Sequence, residues 1–178
     1  MVSCGGYRFG WLVFNSKELN DLYEICNVMA SSIYSCPSLV FQHVAITALE
    51  YPVEIIKYLV FQREVFTDLK RKIITELENT DLVISESNAA WYMLINFDAY
   101  RDKMLKLGIK NSGDLSKYLI NKLKIIMVSG DNFGIDENLV LRYSYIDLKD
   151  VNLEDFSYNF ENISLLIVIL KDWLHKLV

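Results

Sequence analysis

Behind the pair Tyr51-Pro52 the apolar residues Ile55, Leu59, Phe66, Leu69, Ile73 and Leu77 recur at intervals of three, four or seven. That spacing puts them on one side of an α-helix and predicts about seven turns. A stripe of this length has to be covered, and the sequence that follows supplies a cover of a different kind. From Asp81 onward the pattern changes to short runs rich in branched and aromatic residues, Leu82 to Ile84 and Ala90 to Ile95, then Ile125 to Val128 and Leu139 to Ile146. These read as strands. Between them lie a polar helical stretch from Ala99 to Leu107 that stops at Gly108, a helix capped by Asn111 or Ser112 and running to about Lys122, and a loop at Gly130 to Gly134. A last helix is expected from an Asn152 cap, with Asp155 at its third position and Phe156, Phe160, Ile163, Ile167, Leu170 and Leu174 on one face.

Ahead of the long helix, Arg8 to Phe14 reads as a short strand. Asn15-Ser16 offers a cap with Glu18 as its capping-box partner, and Leu19, Leu22, Cys26 and Met29 mark a helix to about Ser32. Pro37 opens another, with Val40, Val44 and Leu49 on its apolar side. The whole is an α/β chain with no internal repeat. The boundary between its two parts is expected within the long helix, near residues 50 to 60.

Composition narrows the function. The 178 residues carry a net charge of -5 and are 52% hydrophobic; a nucleic-acid ligand would require clustered Lys and Arg instead. The one dense basic run, Lys70-Arg71-Lys72, is read as the solvated side of a helix. Cys4, Cys26 and Cys36 have no CxxC spacing, and with only His43 and His175 beside them no metal cluster is indicated. The longest apolar run, Leu165 to Leu170, is too short to span a bilayer. The expectation is a cytoplasmic, soluble protein whose surplus apolar surface meets a partner.

Four short stretches carry chemistry. Ser3-Cys4-Gly5-Gly6-Tyr7-Arg8-Phe9-Gly10-Trp11 joins a turn of small residues to a guanidinium, whose planar fork matches phosphate oxygens. Taken alone, Arg8 reads rather as an exposed arginine on the outer face of an edge strand. Ser31-Ser32-Ile33-Tyr34-Ser35-Cys36-Pro37, continuing to Gln42, is a serine-rich bend that a plain helix-to-helix turn also explains. Ser87-Asn88-Ala89-Ala90-Trp91-Tyr92 leads into a strand, its aromatics suited to a core. Val128-Ser129-Gly130-Asp131-Asn132-Phe133-Gly134 precedes Arg142, a lone charge within a β-run that either faces solvent or awaits an anion.

In this order the four stretches resemble the C-terminal portion of class I/II pyridoxal-phosphate-dependent aminotransferases of fold type I. The resemblance covers residues 1 to about 146. It implies the last strand and interdomain helices of a large domain (remnant 1–50), followed by the interdomain helix and C-terminal small domain (51–178). It assigns Arg8, with Gly6 and Ser3, to the cofactor phosphate and Arg142 to the substrate α-carboxylate. The cofactor it implies is pyridoxal 5'-phosphate, and the substrates are an α-amino acid and a 2-oxo acid. The partner it implies is a second copy in a homodimer, or a complementing N-terminal half. Three departures stand out: Ser87 and Ser129 replace prolines, and Ala89 replaces a glycine that lets the backbone pass close to substrate. The family's Schiff-base lysine sits eight residues before its phosphate arginine, which here is one position before Met1. The chain is therefore expected to be inactive alone, with a non-catalytic interaction or dimerisation module as the alternative.

Overall fold

A computed structural model describes residues 10–87, 89–152 and 157–177. They fall into two compact units, divided between Phe61 and Gln62.

In the first unit Gly10 to Phe14 form no strand, contrary to the expectation for Arg8 to Phe14, whose first two residues lie outside the described set. An isolated extended segment leaves its backbone groups without ladder partners. Ser16 caps a single 3₁₀ turn, Lys17–Leu19, its hydroxyl accepting from the Glu18 N–H at 3.2 Å. Helix α1 (Asn20–Tyr34) follows and breaks at Ser35, where φ is 63°. Helix α2 (Leu39–Leu49) starts two residues after Pro37. Its expected apolar side stays uncovered: Val40 is 67% exposed, and Val44 and Leu49 are 45%.

Helix α3 (Val53–Leu77) has the predicted length, 25 residues, and runs from the first unit into the second. Within the second unit its Val65, Leu69, Ile73 and Leu77 are buried at strict four-residue spacing. The four-stranded antiparallel sheet has the order β1-β2-β4-β3, with β1 at Val83–Ile84, β2 at Tyr92–Asn96, β3 at Val128–Ser129 and β4 at Val140–Ser144. Strand β3 is shorter than the apolar run before it suggested, because only Val128 and Ser129 find partners on β4. Between β2 and β3 lie helices α4 (Arg101–Lys106) and α5 (Ser112–Tyr118). Helix α5 is capped by Asn111, as predicted, and loosens into a π turn at Leu119–Leu123.

The C-terminal helix requires correction. It begins at Glu161 rather than near Leu153, as α6 (Glu161–Leu177), with the Asn159 carboxamide oxygen accepting from the Glu161 N–H. Its expected cap, Asn152, instead ends a short strand, β5 (Lys149–Asn152), and within its expected first turns Ser157–Asn159 form the antiparallel partner β6. From Ile163 on, the predicted face holds, with Ile163, Ile167, Leu170 and Leu174 all buried; Phe156 lies outside the described residues. The basic run on α3 is divided. Arg71 is 77% exposed, whereas Lys72 pairs with Asp68 at 2.7 Å and lies 4.0 Å over the Phe160 ring, and Lys70 donates to the Ser87 carbonyl. No helix among the described residues is long and apolar enough to cross a membrane.

Candidate functional site

The candidate site is built on β4, the strand flanked by β2 on one side and β3 on the other. Side chains alternate across a sheet, and here Leu141 and Tyr143 are buried while Arg142 between them is half-exposed. Arg142 pairs with Leu94 of β2 and Val128 of β3, which places all three on the half-exposed face. The opposite face carries Met93 and Ile95 with Leu141 and Tyr143, and it belongs to the core.

Two rings hold the Arg142 guanidinium. Its central carbon lies 4.4 Å over the Tyr92 ring and 4.5 Å over the Phe133 ring. Tyr92 comes from β2, opposite Ser144, and Phe133 from the 3₁₀ turn Gly130–Phe133 that follows β3. The rings thus reach Arg142 from opposite sides of its strand. That turn is held tightly. Ser129 caps it, accepting from the Asp131 N–H and donating to the Asp131 carboxylate at 2.8 Å. Gly130 lies so close to β4 that a Cβ there would come within 2.8 Å of the Val140 carbonyl oxygen, and Gly134 ends the turn with φ at 73°. Ser129, which stands where the resemblance has a proline, therefore performs the turn's capping with its hydroxyl.

The Arg142 Nε is buried and has no hydrogen-bond partner. No carboxylate lies within ion-pair distance of Arg142 among the described residues. Its two terminal nitrogens are neither engaged nor buried, so the free edge of the guanidinium is the one that presents two parallel N–H donors. Such an edge fits a carboxylate bidentately.

A second support comes from below the strand. The Ser112 hydroxyl, 1% exposed, donates to the Asn138 carbonyl at 2.8 Å and accepts from the Val140 N–H at 3.0 Å. Asp98 accepts from the Leu139 N–H at 3.0 Å and pairs with Arg101, whose guanidinium also reaches the Glu137 carbonyl. Although burial raises it, these donors hold the Asp98 carboxyl below the ordinary value. Two polar anchors thus fix the start of β4, two residues ahead of Arg142.

The other sequence-predicted residues are placed less fully. Arg8, Gly6 and Ser3 lie outside the described residues. In the serine-rich bend the Ser32 hydroxyl donates to the Val28 carbonyl, and the Gln42 amide donates to the Pro37 carbonyl. Trp91 and Tyr92, expected as core aromatics, are only half-buried, and the buried Trp91 indole N–H has no partner. The ring contacts to Arg142 were not legible in the motifs. They depend on β2 pairing with β4, a register that no local pattern announces.

The comparisons with known proteins bear on this arrangement. Residues 2–156 match the family described as aminotransferase class I and II. A probable aspartate/prephenate aminotransferase of Rickettsia conorii is 26% identical over 137 residues, covering 76% of this chain and 34% of its own length. A bifunctional aspartate aminotransferase and glutamate/aspartate-prephenate aminotransferase of Petunia hybrida is 29% identical over 144 residues, covering 78% and 29%. Among solved structures, an aspartate aminotransferase of Thermotoga maritima superposes with a TM-score of 0.67 at 20% identity, covering 97% of this chain and 37% of the other. An aromatic aminotransferase of Pyrococcus horikoshii gives 0.59 at 21%, covering 84% and 35%. The chain thus spans about a third of the length of the relatives it matches. A shared fold with those structures and a match over most of its residues, with the Arg142 strand inside it, lead to one statement: this chain belongs to the class I and II aminotransferase family.

Proposed function

We propose that the chain forms the carboxylate-binding C-terminal part of a pyridoxal-phosphate-dependent aminotransferase, which moves an amino group between an α-amino acid and a 2-oxo acid. The observation that carries this reading is the unspent edge of Arg142, a guanidinium held between two rings with no carboxylate paired to it among the described residues. Arg142 binds the substrate α-carboxylate through its two terminal nitrogens and so fixes the orientation of the α-carbon.

Holding the cofactor falls to Arg8, with Gly6 and Ser3, at its phosphate. These lie outside the described residues, while the edge of Arg142 fits a carboxylate. When bound, pyridoxal phosphate supplies the electron sink for the substrate's α-carbon. The chain spans about a third of its relatives' length, and the remaining length is the part assigned here to bring the reactive lysine.

The test is a titration of the 178-residue chain with pyruvate, a 2-oxo acid, following the Arg142 Nε–Hε resonance. A saturable shift is expected there and in the β4 amide resonances, with the amide shifts lost in Arg142→Ala, and unmoved resonances in the wild type would overturn the reading. Combined with a segment supplying the rest of the family's length, the wild type is expected to transfer amino groups. Arg142→Ala should then lose about 2–5 kcal/mol of substrate binding, roughly thirtyfold or more.

A second reading, an interaction or dimerisation module derived from the small domain, draws on its exposed apolar residues. Ile126 is 74% exposed, Leu165 58% and Val168 54%. It requires stable, monodisperse folding and no rise in melting temperature with pyridoxal phosphate.

A further inference from the structure

We propose that Tyr92 and Phe133 form a clamp that makes Arg142 select flat carboxylates over tetrahedral anions. The inference rests on the carboxylate role of Arg142 and goes beyond it by naming two positioning residues and the discrimination they impose. Both rings lie within 4.5 Å of the guanidinium carbon, and Nε is shut away from solvent. Water therefore reaches the group chiefly at its two terminal nitrogens, and an anion has to approach along that edge.

A carboxylate can lie in the guanidinium plane, with one oxygen on each nitrogen and nothing projecting above or below. A sulfonate or phosphonate that places two oxygens in the same way directs a third out of the plane, toward a ring face. That face carries the negative part of the aromatic quadrupole and repels it. The rings also restrict the rotation that Arg142 would otherwise have on a half-exposed surface, so less freedom is lost when the pair forms. Each ring is separately anchored, Tyr92 by its place in β2 and Phe133 by the capped turn under it. Phe133 is 45% exposed, so replacing it leaves the core untouched.

The experiment compares propionate with ethanesulfonate, two ligands with the same carbon chain and different acid groups. Each is titrated into the wild type, Phe133→Leu, Tyr92→Leu and Arg142→Ala, following the Arg142 Nε–Hε and β4 amide resonances. The wild type should bind propionate with clear preference. Each leucine variant should lose roughly three- to tenfold in propionate affinity, and the preference over ethanesulfonate should shrink in parallel. Phe133→Tyr and Tyr92→Phe, which keep a ring, should restore both. Equal binding of the two ligands by the wild type, or an unchanged preference in both leucine variants, overturns the clamp while leaving the carboxylate role standing. If propionate does not bind the wild type, or binds equally to Arg142→Ala, the carboxylate role itself fails and the clamp fails with it.

Discussion

At the scale of single residues, three positions beside the site give opposite expectations under small substitutions. Gly130→Ala would push a methyl group to within 2.8 Å of a backbone oxygen of β4, which cannot swing aside as a side chain could. A loss of about 1–3 kcal/mol is expected in urea unfolding, with the Phe133 turn displaced from Arg142. Ala90→Gly should act the other way. Ala90 adopts φ 58° just before β2, a conformation that costs a residue with a Cβ about 1 kcal/mol, and glycine would relieve part of it. The Ser112 hydroxyl is spent on both Asn138 and Val140, so Ser112→Ala leaves the buried Val140 N–H and the Asn138 carbonyl with only their mutual bond at 3.0 Å. About 1–3 kcal/mol of stability should be lost, measured by the same denaturation.

Among the elements, the second unit's α3 is joined to β6 by one polar cluster. Tyr158 donates to the Asp68 carboxylate at 2.6 Å, and Lys72 and Arg71 pair with the same group. The Lys72, Tyr158 and Arg71 hydrogen bonds hold the Asp68 carboxyl well below its usual range. Burial and the Asp68 charge push the Tyr158 hydroxyl up to about 12. A depressed carboxyl stabilises the fold above its unfolded value, 3.8, and that contribution is lost as the pH falls below it. A raised phenol contributes fully below its unfolded value, 10.0, and loses that contribution as the pH rises toward about 12. The stability gap between wild type and Tyr158→Phe should accordingly be steady near neutral pH and narrow between 10 and 12. Burial also raises Tyr143 and Tyr145, so both proteins lose stability over that range and the gap between them carries the test. A gap that stays constant to pH 12 would remove Tyr158 from this role.

Across the whole molecule the apolar residues are unevenly used. The second unit buries Leu69, Ile73, Phe97, Met104, Leu115 and Leu141 to 1% exposure or less. In the first, Val13 is 79% exposed, Leu12 75%, Ile33 71%, and Leu39 and Val40 67%. Opening free energy follows buried apolar contact, so amide exchange in α1 and α2 should be fast while that in β2 and β4 is slow. Limited proteolysis should cut between residues 10 and 52 before it cuts the sheet. Equal protection of the two regions by hydrogen exchange would contradict this expectation.

What the sequence determined by itself follows from periodicity and chain chemistry that act over a few residues. The four-residue spacing from Leu69 to Leu77 and from Ile163 to Ile167 required helices with one buried face. Gly108 and Asn111 marked a stop and a cap where both occur, and the ordered motifs around Phe133 and Arg142 pointed to the aminotransferase family. Other features depended on residues far apart in the chain. Asp68 and Tyr158, ninety positions apart, secure to α3 a strand that local pattern had read as the start of α6. Register between β2 and β4 placed the Tyr92 ring over Arg142. Whether that arginine faced solvent or awaited an anion was open in the sequence, because local pattern gives a side chain's alternation but not its neighbours. Tertiary pairing supplied those neighbours, two rings and, among the described residues, no acid, and left the edge of the guanidinium free.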